Sequence, residues 1–438
     1  MKKSGRRLGS VSVVVLIGLM TVALASQARL ASVPAGPVRI DGHAVADARG
    51  PFNALGVTLF WGAWGYKFDR GRLERNLAVL SEAGIDYVRV LGSVGGSSWA
   101  DRQTDPSWSD YDAVIAGLTD LAFDKYGIRV QWTLFGGAPF TPSGKAREAL
   151  VDRFASLAKG REQKLFAFEI ANEGRSNGFA GSEGIAELRR LGARLSEKTT
   201  VLVALSDPAA RAECATYGGA GVDAATMHYP RNFGSEGPWQ TVLRPWDYPR
   251  RYDRACRGQL PPVVFNNEPI GPESSVRQDD DPTRITAAYV LTFLANHAAY
   301  VLHAGPGIRG GGHADISGEL KRHANFDELP TFKAIVTALK AARAYLPAGL
   351  ANWKRHEPGS TAAPIQGGNL AYAASSGSNF VVLVAAADKP AVLRARQGAS
   401  IDVRQLSTGK ILQHLELSPG EEFTLGGHPA FVLIGRSK

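Results

Sequence analysis

An alternation of short apolar runs with amphipathic segments constrains the fold of this chain more than any other feature. Each apolar run is nearly continuous, which is typical of a parallel strand covered on both faces. We predict eight such strands, at 54–60, 87–91, 129–135, 165–171, 200–205, 224–228, 263–267 and 300–303.

Between these runs, apolar residues recur at helical spacing, as Leu73, Leu77 and Leu80 do. Eight strand–helix alternations predict an α/β fold, the (β/α)8 TIM barrel. An open doubly wound sheet is the alternative. Such a sheet usually carries a Gly-rich phosphate-binding turn after its first strand, whereas the turn Trp61–Gly65 carries two indoles there. The helices are predicted at 72–83, 111–126, 147–157, 185–195, 285–299 and 331–346.

The helical period disappears after residue 350, and short strand-like segments alternate with Gly-, Ser- and Pro-rich turns. This pattern predicts a small all-β sandwich over 351–438 that follows a barrel over 29–350. Its strands are predicted at 369–374, 379–386, 391–396, 400–405 and 430–434.

Residues 1–28 have the layout of a secretory signal peptide, with a basic start, an apolar run over 11–25 and small residues at the end. An uncleaved anchor is the alternative, although the run is shorter than the roughly 20 residues of a membrane span. We therefore expect a secreted or periplasmic protein with no stable membrane insertion after cleavage.

The net charge of +9 raises the question of nucleic-acid binding. Four of the positive charges lie in the leader, so +5 remains on the rest of the chain. The basic cluster over 244–257 is interleaved with aromatic residues, and in a secreted protein this fits a glycan better than a nucleic acid. We predict no nucleic-acid partner and a monomeric protein.

The chain has two cysteines, Cys214 and Cys256, in consecutive connections of the predicted barrel. They could form a disulfide in an oxidising compartment, and two separate buried thiols are the alternative. Neither Cys-x-x-Cys nor His-x-x-x-His spacing occurs in the sequence, so we predict no metal and no other cofactor.

Polar residues follow several predicted strands at their carboxyl ends, where TIM barrels carry their active sites. Glu173 and Glu268 end separate strands, and such a pair can supply the proton and the nucleophile that cleave a glycosidic bond. A structural ion pair is the alternative for both, and a structural role is favoured for Glu169 in mid-strand. The other strand-end residues are Arg89, Asn172, His228, Tyr229 and His303.

The segment Phe168-Glu169-Ile170-Ala171-Asn172-Glu173 resembles the fourth-strand Asn-Glu motif of glycoside hydrolase clan A, especially family 5. The resemblance covers residues 50–346 and extends to three other strands. In the family the tyrosine usually stands two residues beyond the histidine, whereas here the two are adjacent. The matching residues are Arg89, His228, Tyr229 and Glu268.

The resemblance implies a retaining glycosidase that acts on an oligo- or polysaccharide by double displacement. Glu173 would be the acid/base and Glu268 the nucleophile. A non-catalytic carbohydrate-binding barrel is an alternative, and so is a transglycosylase or lyase. The other implied roles are Arg89 holding Glu268 ionised, Asn172 binding the sugar 2-hydroxyl, and His228 and Tyr229 tuning the two carboxyls.

Tryptophans concentrate in the predicted loops, which hold six of the eight. Aromatic faces beside carboxylates suit the apolar faces of sugar rings, so we expect four of them to contact substrate, together with His303. The alternative is that each indole closes its loop onto the barrel, and that His303 is a core histidine. The four are Trp61, Trp64, Trp239 and Trp246.

Overall fold

The structure is a computed structural model, and the statements below concern the residues that it describes. These are residues 34–137, 139–208, 213–229, 237–246, 259–267, 270–275, 278–309, 323–385 and 390–438.

Eight parallel strands form a closed barrel. Each strand pairs with the next one in the chain, and the last pairs with the first through Leu302 and Val57. The predicted TIM barrel is therefore confirmed, and closure excludes the open sheet. We number the strands β1 (Ala54–Thr58), β2 (Tyr87–Leu91), β3 (Arg129–Phe135), β4 (Leu165–Ala171), β5 (Val203–Pro208), β6 (Ala224–His228), β7 (Val263–Asn266) and β8 (Ala299–Leu302).

Strand β5 departs most from its prediction, because it begins at Val203 rather than at residue 200. Its polar end, Ser206 and Asp207, pairs with Thr226 and Met227 of β6. Cross-strand pairing thus extends this strand beyond its apolar run.

Helices surround the barrel and follow most of its strands. The helix predicted to run to residue 299 ends at Leu294, because the chain must turn before β8 begins at Ala299. No helix among the described residues is long and apolar enough to cross a bilayer. The helices are α1 (Gly62–Phe68), α2 (Arg70–Glu82), α3 (Tyr111–Tyr126), α4 (Gly144–Ala158), α5 (Gly181–Ser196), α6 (Glu213–Tyr217), α7 (238–246), α8 (Pro282–Leu294), α9 (Gly305–Arg309) and α10 (Phe332–Tyr345).

A small antiparallel sheet that the sequence analysis missed closes the amino-terminal end of the barrel. Val45 and Phe52 of this sheet pack on the first residues of the barrel strands. Arg129, at the start of β3, forms a buried ion pair with Asp47 at 3.1 Å. Its strands are Arg39–Asp41, Ala44–Asp47 and Gly50–Phe52.

After α10 the chain forms two antiparallel sheets, of six and three strands, whose inward side chains share one core. The predicted all-β region is therefore confirmed. Four of its strands were not predicted, since strands such as Ile411–Leu417 lie at an edge and bury little apolar surface. The strands are Lys354–His356, Ile365–Gln366, Ala371–Ser376, Asn379–Ala385, Ala391–Ala395, Ala399–Gln405, Ile411–Leu417, Glu422–Leu425 and Ala430–Ser437.

Trp246, in α7, joins the barrel to these sheets. It is only 1% exposed, and the Arg355 guanidinium lies 3.7 Å from the centre of its ring. Its indole N–H donates to Glu357 at 3.3 Å, and its ring meets that of Tyr372 edge-on at 5.1 Å. Trp246 therefore packs in the junction between the two parts, where no ring face is open to a substrate.

We expect Trp246→Ala to lower the free energy of unfolding of the full chain by about 3–5 kcal/mol, because it empties a buried site. Urea denaturation measures the change. Phe68→Ala is the control, since Phe68 is 57% exposed and its loss should change stability by less than about 0.5 kcal/mol. Equal effects of the two substitutions would contradict the junction role.

Candidate active site

Glu173 lies just beyond β4, at the carboxyl end of the barrel, with its side chain 33% exposed. Its backbone is in the left-handed region, with φ 45° and ψ 61°. For a residue with a Cβ this conformation costs roughly 1–2 kcal/mol. Such strain persists only where surrounding contacts impose it, and it clusters at functional sites.

Contacts from β5 impose this conformation. The N–H of Glu173 donates to the Ser206 hydroxyl at 3.1 Å, and Arg175 donates to a carboxylate oxygen of Asp207 at 2.7 Å. Thr216 donates to the same oxygen at 2.6 Å. Burial raises the pKa of Asp207, and the bonds from Thr216 and Arg175 oppose that rise without cancelling it. The end of β5 thus holds the turn that presents Glu173.

We expect Glu173→Gly to be more stable than Glu173→Ala by about 1 kcal/mol, because glycine adopts positive φ without the steric cost. Urea denaturation of both variants measures the difference. Ala186→Gly, at an exposed position in α5, is the control and should lose about 1 kcal/mol. A Glu173→Gly protein less stable than Glu173→Ala would show that the turn is unstrained.

A buried ion pair crosses the barrel interior beneath Glu173. Arg89 of β2 contacts Glu169 of β4 at 2.8 Å through Nε and at 2.7 Å through Nη2, and both side chains are fully buried. Thr133 donates to the same Glu169 oxygen. Burial alone would raise the pKa of Glu169, but the Arg89 charge together with the neighbouring His228 and Thr133 outweighs that effect, so the pKa is lowered. Glu169 is therefore a structural carboxylate, as the sequence favoured.

Arg89 also donates to the Asn172 side-chain oxygen at 2.9 Å. The same guanidinium thus orients the residue that directly precedes Glu173. Glu268, the expected partner of Arg89, lies outside the described residues, so the contact between Arg89 and Glu268 stays a prediction.

We expect Glu169→Gln to lower the free energy of unfolding by about 3–5 kcal/mol at neutral pH, because it leaves the buried Arg89 charge uncompensated. Glu183→Gln, on the exposed start of α5, is the control and should change stability by less than about 0.5 kcal/mol.

The deficit of Glu169→Gln should shrink in acid. The folded-state pKa of Glu169 lies below its ordinary 4.5, so its stabilisation is present above that pH and is lost as the pH falls through the folded value. Urea denaturation at pH 7 and below pH 4.5 measures this. A deficit that is independent of pH would contradict the ionised pair.

His228, at the end of β6, connects Glu173 with β7. Its Nδ1 lies 3.4 Å from the Glu173 carboxylate, and its Nε2 lies 3.1 Å from the Asn267 amide nitrogen and 3.9 Å from Glu169. With Nε2 accepting from the amide, Nδ1 carries the hydrogen and faces Glu173. The structure therefore brings together four of the predicted site residues: Arg89, Asn172, Glu173 and His228.

Tyr229 faces the opposite way, because adjacent residues of a strand point to opposite sides. It is 2% exposed, and its hydroxyl contacts Nε2 of His297. Burial raises the pKa of Tyr229 well above its ordinary value and lowers the pKa of His297 to about 3. The structure thus places Tyr229 outside the group around Glu173, contrary to the sequence-based expectation.

The tryptophans that were predicted to contact substrate differ in how far their side chains are buried. Trp61 is 0% exposed, and its indole donates to the Pro306 carbonyl at 2.8 Å. Like Trp246, it belongs to the core and offers no ring face to a substrate. Trp64 and Trp239 are partly exposed, so their contact with substrate stays a prediction.

His303, after β8, is buried at 1% exposure and shares a hydrogen bond of 2.6 Å with Ser274. Its ring lies 6.0 Å from that of Phe60, and the Phe60 ring lies 5.2 Å from the Arg89 guanidinium. Phe60 therefore lies between His303 and Arg89. The His303 side chain itself is hydrogen-bonded to Ser274 in the loop after β7.

Two predictions fall on residues that the structure does not describe. Glu268 follows the described Asn267, and Cys256 lies in the segment 247–258. The nucleophile assignment and the pairing of Cys214 with Cys256 therefore stay predictions. Within the described ranges, no group of three His, Cys, Asp or Glu side chains is arranged to hold a metal ion.

The contribution of β5 was not predicted from the sequence. Ser206 and Asp207 support Glu173, but the strand was predicted to end at residue 205, so no polar residue was assigned to its end. The dipeptide Ser-Asp directly after an apolar run was the available signal, since site residues of barrels lie at strand ends.

No protein-family model matches this chain, and a comparison with curated proteins also finds no match. Among solved structures, a glycoside hydrolase of family 5 from Bacteroides vulgatus is similar over 92% of this chain and 93% of its own, at 15% identity and a TM-score of 0.65. A family 39 glycoside hydrolase from Bacteroides cellulosilyticus is similar over 89% and 81%, at 12% identity and a TM-score of 0.52.

Trehalose-6-phosphate hydrolase from Bacillus licheniformis is similar over 88% of this chain and 99% of its own, at 10% identity and a TM-score of 0.52. At these identities the likeness concerns the fold. The resemblance to glycoside hydrolases that the sequence carries is thus confirmed at the level of the barrel architecture.

Proposed function

We propose that this protein is a retaining glycoside hydrolase that cleaves an oligo- or polysaccharide with Glu173 as acid/base and Glu268 as nucleophile. The observation that carries the proposal is the position of Glu173 at the carboxyl end of a closed barrel, 3.4 Å from His228. A partly exposed carboxylate that is held in a strained backbone conformation suits proton transfer to a bound substrate better than a structural role.

Glu268 is proposed as the nucleophile because it follows Asn267, whose amide nitrogen lies 3.1 Å from His228. His228 in turn contacts Glu173. A retaining reaction requires the two carboxyl groups to lie about 5–5.5 Å apart on either side of the scissile bond.

Asn172 suits the binding of a sugar hydroxyl. Its side-chain oxygen accepts from Arg89 at 2.9 Å, which fixes the orientation of the amide and leaves the NH2 group as the donor to the substrate. A hydrogen bond to the 2-hydroxyl that strengthens in the transition state accelerates glycoside cleavage.

In the proposed first step, the Glu268 carboxylate bonds to the anomeric carbon while the glycosidic C–O bond breaks, and Glu173 donates its proton to the leaving oxygen. In the second step, Glu173 takes a proton from water, the water oxygen bonds to the anomeric carbon, and Glu268 is released. Two inversions retain the configuration of the sugar.

We also propose that the protein acts outside the cytoplasm, with residues 1–28 removed as a signal peptide. The basic start and the short apolar run support this. Determining the amino-terminal sequence of the exported protein tests it, and an intact leader on that protein would contradict cleavage.

The central experiment compares the full chain with Glu173→Ala and Glu268→Ala on aryl glycosides and polysaccharides. We expect Glu268→Ala to lose turnover on every substrate. Glu173→Ala should lose about 10²–10⁴-fold on substrates whose leaving group needs a proton and much less on dinitrophenyl glycosides. Azide should rescue Glu173→Ala with a glycosyl azide of retained configuration.

Glu183→Ala is the matched control, because it removes an exposed carboxyl group on α5, and it should keep full activity. Wild-type activity in Glu268→Ala would overturn the nucleophile assignment. Binding of glycans without cleavage would favour the non-catalytic alternative, and an unsaturated product would favour a lyase.

A further inference from the structure

The carboxyl-terminal sheets contain a cavity of about 320 Å³ that the proposed glycosidase activity does not use. Three cationic or titratable side chains and three hydroxyls line it. They are Lys354, His356 and Arg396, with Ser375, Ser378 and Ser437.

The antiparallel pairing of these sheets builds the cavity. Lys354, on an edge strand, pairs across the sheet with Ser375. The N–H of Ser437, near the carboxyl end of the chain, donates to the Ser378 carbonyl at 2.8 Å. The position of Arg396 is stabilised by a hydrogen bond, because its guanidinium donates to the Ala362 carbonyl at 3.1 Å.

The cavity concentrates positive charge without a compensating carboxylate. None of the described residues that line it is acidic. Among the described residues, neither Lys354 nor Arg396 forms an ion pair, whereas Arg355, on the same edge strand, lies 3.3 Å from Glu357. An anion bound in the cavity would compensate these positive charges.

His356 is the buried polar group at this site. It is 7% exposed, and its Nε2 shares a hydrogen bond of 2.7 Å with the Ser375 hydroxyl. Burial, together with the neighbouring Lys354 and Arg396 charges, lowers the pKa of His356.

We propose that this cavity binds an anionic sugar, a glycoside that carries a carboxylate, with Lys354 and Arg396 on the carboxylate and the serines on its hydroxyls. Its volume lies at the lower end of the about 300–1,000 Å³ of ligand sites, which suits one or two sugar units. The described residues that line the cavity include no aromatic ring, so recognition rests on charge and hydrogen bonds rather than stacking.

The test measures binding to the full chain by isothermal titration calorimetry at low salt. The probes are methyl β-D-glucuronide, the neutral methyl β-D-glucoside and inorganic sulfate. We expect the glucuronide to bind at least about tenfold more tightly than the glucoside, because two charge-assisted hydrogen bonds are lost with the carboxylate. Its affinity should fall as salt is added, since both cations are exposed.

The variant that tests the site is Lys354→Gln combined with Arg396→Gln, which should weaken glucuronide binding at least about tenfold. Lys333→Gln combined with Lys410→Gln is the matched control, because it removes two exposed charges away from the cavity. An unchanged thermal unfolding midpoint shows that each variant is folded.

Equal affinity for the glucuronide and the glucoside would overturn the proposal, and so would unchanged binding in the Lys354 and Arg396 variant. Sulfate binding as tightly as the glucuronide would overturn sugar recognition and assign the cavity to a free oxyanion. The measurement requires no turnover, so its result tests the binding proposal independently of the glycosidase activity.

Discussion

The buried contact between Arg89 and Glu169 organises the polar centre of the barrel. Removing both charges from water is costly, and the cost is offset only because the pair makes two short contacts and further hydrogen bonds. Those further bonds reach β3 through Thr133 and Asn172 beside Glu173. The ion pair therefore ties three strands together and orients the residues that face the mouth of the barrel.

Glu173 depends on that centre and on a second support from β5. The left-handed backbone conformation of Glu173 is energetically costly. The hydrogen bond to Ser206 and the ion pair of Arg175 with Asp207 hold the backbone in that conformation. The Glu173 carboxylate is thus presented by a turn that hydrogen bonds from β5 hold in place.

The carboxyl-terminal sheets contribute to the barrel as well as carrying their own cavity. Trp246 and Arg355 join α7 to the sheets, so the segment that follows β6 is anchored outside the barrel. The edge strand that holds Arg355 also carries Lys354, which with Arg396 lines a concave surface that has no acidic residue within the described ranges. One edge strand, Lys354–His356, therefore serves both the junction and the proposed anion site.

The sequence by itself determined the eight strands, their parallel order, the place of Arg89 within β2 and the strand ends that carry Asn172, Glu173 and His228, because burial on both faces and helical spacing leave a direct pattern in the chain. It did not reveal the end of β5, the amino-terminal sheet or the edge strands. Only the tertiary structure decided that Tyr229, Trp61 and Trp246 face the core, that Glu169 pairs with Arg89, and that Lys354 and Arg396 line one cavity. The physical reason is that a side chain's partners lie on distant segments, and local patterns carry no record of them.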